Sequence, residues 1–149
     1  MSITHKKQKI IVIVGPTASG KSDLGIRIAQ KFGGQIISAD SRQVYKCMKI
    51  GTAQVKGKWR DGTFISQNIP HYGINFVSPS QPYTAAQFKQ YAQEKIKKIT
   101  SMHTTPIIVG GTGFWIDSLV YDLDFPFVEP DWHLRKKLEK KSAAQLLAI

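Results

Sequence analysis

The chain has 149 residues, of which 42% are hydrophobic and 21% are charged, so it is long and apolar enough to close one globular core, and intrinsic disorder of the whole chain is excluded. Lysine and arginine outnumber aspartate and glutamate by 21 to 10, and the formal net charge of +11 favours an anionic partner such as nucleic acid, a phosphate ester or an acidic membrane. The single cysteine, Cys47, excludes an internal disulfide and indicates a reducing compartment. The basic residues 1–9 precede an apolar run too short for a signal sequence or a membrane span, so we expect a soluble, cytoplasmic protein with no membrane partner.

Three apolar runs predict β-strands. Residues 10–14 form a continuous β-branched run, which is typical of a central parallel strand covered on both faces. Residues 35–39 form a second run that ends at Asp40, and residues 106–109 form a third that ends at a pair of glycines. All three runs have the length of strands rather than of helices.

Apolar residues at helical spacing predict a helix between these strands. The first helix carries Leu24, Ile28 and Phe32 on one face and stops at a glycine pair. The second helix begins after Thr84, whose side chain suits an N-cap. The alternation of strands and helices predicts an α/β fold with a parallel sheet. The apolar face of the second helix consists of Ala85, Phe88, Ala92, Ile96 and Ile99.

The remaining segments predict one long loop and two further helices. Residues 46–82 are interrupted by glycine and proline and predict a loop of the length that usually carries function. A helix is predicted after Thr112 through Leu119, and residues 125–130 predict a hinge or linker. A basic helix is predicted from Asp131, and its sparse apolar face consists of Leu134, Leu138 and Leu146.

A phosphate-binding motif lies directly between the first predicted strand and the first predicted helix, where G-x-x-x-x-G-K-[ST] is matched in full. Its glycines let backbone N–H groups turn toward phosphate oxygens, and the helix N-terminus adds a favourable dipole. Lys21 neutralises phosphate charge, and the Ser22 hydroxyl can bind Mg²⁺. We call this segment the phosphate loop; it consists of Gly15, Pro16, Thr17, Ala18, Ser19, Gly20, Lys21 and Ser22.

Asp40 is the second candidate for chemistry. An ATPase or GTPase with this loop places a metal-binding aspartate at the end of another apolar strand, but the third predicted strand ends in glycines. Asp40 instead follows the second strand, at the carboxyl edge where α/β proteins bind ligands. A lone aspartate there is also a common turn former. The polar side chains that follow Asp40 favour a base or a metal ligand.

Five segments of the chain follow one another in an order known from one family. Residues 15–22 are similar to G-P-T-A-S-G-K-[ST], residues 40–45 to D-S-x-Q-x-Y, and residues 51–53 to the start of G-T-A-K. Residues 79–88 resemble the segment that follows the long loop, and residues 109–113 match V-G-G-T-G. The chain thus resembles the tRNA dimethylallyltransferases, also called tRNA isopentenyltransferases, over nearly its whole length.

The resemblance implies transfer of a dimethylallyl group from dimethylallyl diphosphate to N6 of the adenosine beside the tRNA anticodon. It implies that the phosphate loop holds the diphosphate, with Lys21 and Ser22 binding diphosphate and Mg²⁺, and that Asp40 is the general base. Proton removal from the weakly nucleophilic amine, together with neutralisation of the departing diphosphate, lowers the barrier. By the same resemblance Thr112 contacts the reacting nucleotide, and the tRNA-binding residues are Asp40, Ser41, Arg42, Gln43, Thr112 and Arg135.

The resemblance also implies a P-loop NTPase-like three-layer fold with a parallel sheet. Residues 1–128 are expected to form the α/β core, and residues 129–149 the start of a helical tRNA-binding insertion. Family members are roughly twice as long, at the scale of one large or two small domains, and their later half adds strands, an RNA grip and a diphosphate-binding arginine. We therefore expect a truncated form that keeps the phosphate loop and Asp40.

Two residues depart from the family's pattern, and a short sheet has a physical consequence. Gln54 stands where a lysine usually follows Gly-Thr-Ala, and Ser78 stands where an aspartate commonly precedes Pro-Ser-Gln. Charge pairing near both is expected to differ.

A sheet of only three strands leaves a hydrophobic edge unpaired, so we expect a partner chain or self-association there.

Two other functions fit part of the pattern. In a small P-loop kinase the loop would bind Mg-ATP and Asp40 would activate an acceptor hydroxyl; the glycines after the third strand and the lack of an arginine-rich lid oppose this. A non-catalytic phosphate- or RNA-binding module would bind in a salt-dependent manner that does not depend on Asp40. That hypothesis rests on the net charge and on Lys136, Lys137, Lys140 and Lys141.

Overall fold

The computed structural model describes residues 9–48, 50–125 and 129–149, and in these residues six strands form one mixed sheet. Across the sheet the strands lie in the order β1-β6-β2-β5-β4-β3. In chain order they are β1 (Ile11–Val14), β2 (Gly34–Ala39), β3 (Lys58–Arg60), β4 (Thr63–Ser66), β5 (Ile69–Tyr72) and β6 (Thr105–Gly110). The helices are α1 (Lys21–Phe32), α2 (Ala85–Ser101), α3 (Gly113–Val120), α4 (Trp132–Leu138) and α5 (Ala143–Leu147).

The three predicted strands correspond to β1, β2 and β6, but the prediction of a purely parallel sheet is wrong. Strands β1, β6, β2 and β5 pair in parallel in that order, whereas β4 is antiparallel to both β5 and β3. These extra strands lie within residues 46–82, which the sequence pattern predicted to be a loop. The turn between β3 and β4 consists of Asp61 and Gly62 with φ of 48° and 73°, the conformation that a tight two-residue hairpin requires.

Helices cover both faces of the sheet. Helix α1 packs on one face, where Ile26 and Ala29 meet Ile36, Ile107 and other buried residues of the strands. Helices α2 and α3 pack on the opposite face, in a second cluster formed by the strands together with the turn that follows β2. We call these the α1 face and the α2 face, and the sheet lies as a middle layer between them.

The buried face of α1 differs from the predicted one. Leu24 and Phe32 are 49% and 55% exposed, whereas the buried residues of α1 are Gly25, Ile26 and Ala29. The small residues let the helix approach the sheet closely, since a Cβ on Gly25 would lie 2.7 Å from Val109. For α2 the prediction is confirmed: four of the five predicted residues are buried, and Thr84 forms a capping box with Gln87.

Strand β1 is an edge strand, so the prediction of a central position for residues 10–14 is wrong. Among the described residues β1 pairs with β6 only. Its apolar residues pack against helices through its two faces, which explains the unbroken apolar run without a second neighbour. Association through this edge stays a prediction.

The C-terminal segment is helical, as predicted, but it is divided in two. Helix α4 begins after Asp131, whose side chain accepts a hydrogen bond from Leu134 N at 2.8 Å, and it ends at Leu138 before the short helix α5. Residues 126–128, which are the middle of the predicted hinge (125–130) and adjoin the expected domain boundary after residue 128, lie outside the described residues. Within the described part of the chain, no helix is long and apolar enough to cross a membrane.

Candidate functional site

The phosphate loop turns tightly between β1 and α1. Ala18 and Gly20 have φ of 64° and 81°, so the backbone reverses twice into the left-handed region, which glycine adopts without strain. Lys21 Nζ donates hydrogen bonds to Pro16 O and, at 3.5 Å, to Ser19 Oγ. The ammonium group is therefore folded over the loop.

The N-terminus of α1 is open toward this loop. Its N-cap, Gly20, offers no side-chain acceptor, so the first N–H groups of the helix lack the usual capping partner. These groups and the positive end of the helix dipole favour an anion. The local structure is thus suited to an anion, and the roles of Lys21 and Ser22 in binding one stay predictions.

A cavity of about 400 Å³ joins the phosphate loop to the carboxyl ends of the strands. Asp40 and Gln43, from the turn after β2, line it together with six residues of the phosphate loop. Its floor on the α1 face is mostly apolar. The floor consists of Ile36, Ala53, Val55, Ile74 and Val109, with His71 beside them.

Asp40 is held by the turn that it begins. Its Oδ1 accepts hydrogen bonds from Arg42 N at 2.8 Å and from Gln43 N at 3.2 Å. The second carboxylate oxygen makes no hydrogen bond to a described residue. The turn-former role and the candidate catalytic role are therefore compatible, since one oxygen fixes the carboxylate and the other is free to accept a proton.

Thr112 ties the end of β6 to the end of β2. Its backbone N–H donates to Ala39 O at 3.2 Å, and its Oγ1 accepts a hydrogen bond from Ser41 N at 2.9 Å. This close pairing requires a glycine two positions before Thr112, because a Cβ on Gly110 would lie 2.1 Å from Ala39 O. The glycines at the end of the third predicted strand thus bring Thr112 next to the turn of Asp40.

The Gln43 amide is used within the protein at both ends. Its Oε1 accepts from Ser38 Oγ at 3.2 Å, and its Nε2 donates to Thr52 O at 2.9 Å. Gln43 thereby links β2 to the segment that forms one wall of the cavity.

Two residues depart from the family's pattern. Gln54 has a buried Oε1 without a hydrogen-bond partner among the described residues, and Ser78 Oγ lies 2.9 Å from Ser80 Oγ.

Sequence reasoning missed His71. The side chain is 4% exposed, its Nδ1 lies 2.9 Å from Ile69 O, and its ring meets the edge of Phe64. Burial lowers the pKa of His71, against the opposing effect of the Ile69 carbonyl. The Asp61-Gly62 dipeptide was the signal for the hairpin of β3 and β4. Strand β4 in turn pairs with β5, which carries His71.

The structure does not bring every predicted residue to the cavity. Arg135 lies on α4, with its guanidinium 5.1 Å from the ring of Trp132, and it does not line the cavity. Arg42 and Ser41 contribute backbone N–H groups to the turn rather than cavity-lining side chains. Arg135 is thus separate from the group around Asp40.

The residues at the phosphate loop fit a magnesium ion held together with a diphosphate. The Ser22 side chain lines the cavity beside Asp23 and Asp40 and makes no hydrogen bond to a described residue. Mg²⁺ is usually bound by few protein oxygens together with substrate phosphates and water. Among the described residues, no cluster of three or more His, Cys, Asp or Glu side chains suited to a metal occurs.

A glycine-rich loop, an open helix N-terminus and a carboxylate around one cavity define an α/β protein with a site suited to a phosphate compound. The sequence matches two family descriptions, "IPP transferase" over residues 43–148 and "isopentenyl transferase" over residues 8–60. The chain therefore belongs to the IPP transferase family.

Individual relatives agree with this assignment. The chain is 46% identical over 148 residues to the tRNA dimethylallyltransferase of Staphylococcus carnosus, covering 99% of this chain and 44% of the relative. The crystal structure of a tRNA isopentenylpyrophosphate transferase from Staphylococcus epidermidis is 43% identical with a TM-score of 0.71, covering 95% of this chain and 45% of that one. The enzyme of the same description from Bacillus halodurans is 33% identical with a TM-score of 0.73, covering 96% and 44%. The chain thus spans less than half the length of these relatives, and they do not favour a kinase.

Proposed function

We propose that this chain carries the donor-binding and proton-accepting residues of a tRNA dimethylallyltransferase. The proposed reaction moves a dimethylallyl group from dimethylallyl diphosphate to N6 of the adenosine beside the tRNA anticodon, in the cytoplasm. One observation carries the proposal: the phosphate loop and Asp40 line the same cavity. The names of the relatives, which are tRNA-modifying transferases, support the choice of substrates.

The phosphate loop is proposed to hold the diphosphate of the donor. Backbone N–H groups at the start of α1 and the Lys21 ammonium face the same cavity and offset the charge that develops on the leaving group. Ser22 would hold Mg²⁺, which adds positive charge at the diphosphate when bound. The apolar floor of the cavity suits the hydrocarbon part of the donor.

Asp40 is proposed to accept the proton of the reacting amine. A bond forms between N6 and C1 of the dimethylallyl group, the bond between C1 and the diphosphate oxygen breaks, and the diphosphate leaves with the bonding electrons. One N6 proton passes to the carboxylate oxygen of Asp40 that the turn leaves free. General-base catalysis of this kind contributes about 10²- to 10⁴-fold.

The remaining assignments extend this proposal. Thr112, Ser41, Arg42 and Gln43 surround Asp40 and would contact the reacting nucleotide. Arg135, on α4, would contact the tRNA from residues 129–149, as part of a helical insertion separate from residues 1–128. The order of strand, phosphate loop and helix supports a P-loop NTPase-like fold for the larger part.

The test compares transfer to unmodified tRNA by the chain and by Asp40→Asn, with dimethylallyl diphosphate and Mg²⁺. We expect Asp40→Asn to lower the transfer rate by about 10²-fold or more while donor affinity stays within about twofold, because Asp40 acts on the amine. The matched control is Asp117→Asn, which changes an exposed carboxylate on α3.

Donor binding is measured separately, by titration with dimethylallyl diphosphate, for the chain and for Lys21→Ala. We expect Lys21→Ala to weaken binding at least about tenfold, since charged hydrogen bonds to phosphate are strong. Equal transfer by Asp40→Asn and the unchanged chain would contradict the role of Asp40. If the unchanged chain binds the donor but transfers no dimethylallyl group, the hypothesis that this chain is active by itself is wrong.

A further inference from the structure

The outer part of the sheet carries a basic surface that the proposed reaction does not use. We call it the basic wing face; it consists of Lys58 and Arg60 on β3, Tyr72 on β5, and Lys95 and Lys98 on α2. Lys58, Arg60 and Lys98 are exposed, and Lys95 and Tyr72 are half-buried. The surface thus presents four cationic side chains.

The strand register determines which way the β3 side chains lie. Trp59 is paired with Phe64, and Phe64 is paired with His71, which lines the cavity on the α1 face. Because side chains alternate between the faces of a sheet, Lys58 and Arg60 lie on the opposite face. They are therefore on the same face as α2.

The two lysines of α2 face this part of the sheet. Lys95 Nζ lies 5.6 Å from the ring centre of Tyr72 and 5.0 Å from that of Tyr91, and Lys98 Nζ lies 6.0 Å from the ring centre of Tyr72. Cation–π attraction favours these positions. The Tyr72 ring is itself fixed, since its hydroxyl donates to Gln35 Oε1 at 2.9 Å.

A shallow floor separates the two pairs of cations. Helix α2 packs over β2 and β6, and between α2 and β3 the residues Thr63, Ile65 and Pro70 are only half-buried. In the described part of the chain, the only ion pair joins Lys89 and Asp122. The four cations of the basic wing face therefore have no carboxylate partner there.

We propose that the basic wing face binds the sugar–phosphate backbone of the tRNA substrate next to its anticodon loop. This inference rests on the proposed function, which supplies the tRNA. Two rows of cations without carboxylate partners, on either side of a half-buried floor, complement the charge of an RNA strand. Lysine and arginine on an edge strand also oppose the pairing of a second strand, but Lys95 and Lys98 lie on a helix and have no such role.

The position relative to Asp40 agrees with one RNA bound at both places. Arg60 pairs with Thr63, and Ile37 pairs with Tyr72. Because Phe64 pairs with His71 in the antiparallel register of β4 and β5, Thr63 lies opposite Tyr72. Arg60 therefore lies in the same row across the sheet as Ile37. Asp40 is three residues beyond Ile37, about 10 Å along the strand, and β3 lies three strand spacings away, about 14 Å. The separation within the plane of the sheet is therefore about 17 Å. Because the cavity lies on the α1 face and the basic wing face on the opposite one, an RNA bound at both places would cross the carboxyl edge of the sheet.

The test measures binding of an unmodified anticodon stem-loop RNA to the full chain at several salt concentrations. The variants are Lys58→Gln with Arg60→Gln, and Lys95→Gln with Lys98→Gln. The control pair, Arg27→Gln with Lys31→Gln, removes the same charge from exposed positions of α1 on the other face. We expect each wing pair to weaken binding roughly tenfold and to lower the slope of log K against log salt by about 1 to 2, and the control pair to change both by much less.

Equal effects of all three pairs would overturn the proposal, because net charge alone would then explain binding. Association of the wing variants into dimers, with RNA binding unchanged, would instead show that these charges only protect an edge strand. Affinity for dimethylallyl diphosphate is measured in parallel and should not change, which shows that the variants are folded. If the unchanged chain does not bind dimethylallyl diphosphate, the proposed function is contradicted. The RNA-binding measurements test the role of the basic wing face independently of that result.

Discussion

The burial of His71 makes the stability of the chain sensitive to acid. Burial lowers the pKa of His71 below its ordinary value of 6.5, although the Ile69 carbonyl partly opposes this. Below about pH 6.5 the unfolded chain therefore binds a proton that the folded chain does not bind, so the free energy of unfolding falls as the pH falls. Above that pH both states are neutral at this residue, and the effect vanishes.

We expect His71→Gln to reduce this loss of stability. Urea midpoints measured at about pH 7 and about pH 5.5 should differ less for His71→Gln than for the unchanged chain. The control, His103→Gln, changes an exposed histidine after α2 and should keep the original difference. An unchanged difference in His71→Gln would show that other groups cause the acid sensitivity.

The roles of single residues were only partly predictable. The phosphate loop and Asp40 could be predicted because their chemistry depends on local order: a strand, a glycine-rich turn and a helix start follow one another in the chain. Gln43 was predicted as a tRNA-binding residue, but its hydrogen bonds to Ser38 and Thr52 depend on how the chain folds back after β2, which local order does not indicate. His71 was not predicted, because its packing against Phe64 exists only after β4 and β5 have paired.

At the level of elements, the pairing of β6 with β2 controls the site. Gly110 lies opposite Ala39, and a Cβ at Gly110 would lie 2.1 Å from Ala39 O. We expect Gly110→Ala to push the strand ends apart and to destabilise the fold by about 2 kcal/mol or more, as backbone overlaps and overpacking do. Thermal denaturation measures this loss.

The control for Gly110→Ala is Gly113→Ala at the start of α3, where a new Cβ would meet nothing within 4 Å. Alanine also favours a helix over glycine there, so this variant should be as stable as the unchanged chain or more so. A stable Gly110→Ala variant would show that β6 and β2 tolerate a wider separation, and the close contact of Thr112 with Ser41 would then not depend on this glycine.

The elements differ in how clearly the sequence indicates them. Helix α2 was predictable because its large apolar residues coincide with its buried face and Thr84 marks its start. The buried face of α1 was not, because contact with the sheet relies on small residues such as Gly25 and Ala29, while the larger Leu24 and Phe32 lie in solvent. Strands β3 and β4 are so short that their alternation is hard to recognise without the turn.

On the scale of the whole molecule, the sheet order is the feature that sequence patterns cannot supply. The apolar run of β1 indicates that helices cover the strand on both faces. Both an edge strand and a central strand can be covered in this way, so the run does not distinguish them. Among the described residues β1 lies beside β6 alone, a position that its apolar run does not indicate. The three-layer arrangement was predictable because each parallel connection must cross one face of the sheet through a helix.

The net charge of +11 acts on the whole molecule. In the described residues only one ion pair brings opposite charges into contact, and a net charge this far from zero lowers the stability of the folded state through repulsion. Salt screens this repulsion, because the Debye length falls from about 20 Å at about 20 mM salt to below 10 Å at about 200 mM. We expect the thermal midpoint to rise by about 2 to 4 °C between about 20 mM and about 200 mM sodium chloride, which corresponds to about 1 kcal/mol.

The same measurement in Lys21→Ala separates screening from specific anion binding. Screening involves all the charges and should persist in Lys21→Ala, whereas stabilisation by inorganic diphosphate requires the phosphate loop and should largely disappear. A midpoint that falls with salt would show that attractive charge pairs dominate the fold. If repulsion dominates, each anion that binds, whether diphosphate at the phosphate loop or RNA on the wing, relieves it, so the charge that favours these ligands also makes them stabilise the folded chain.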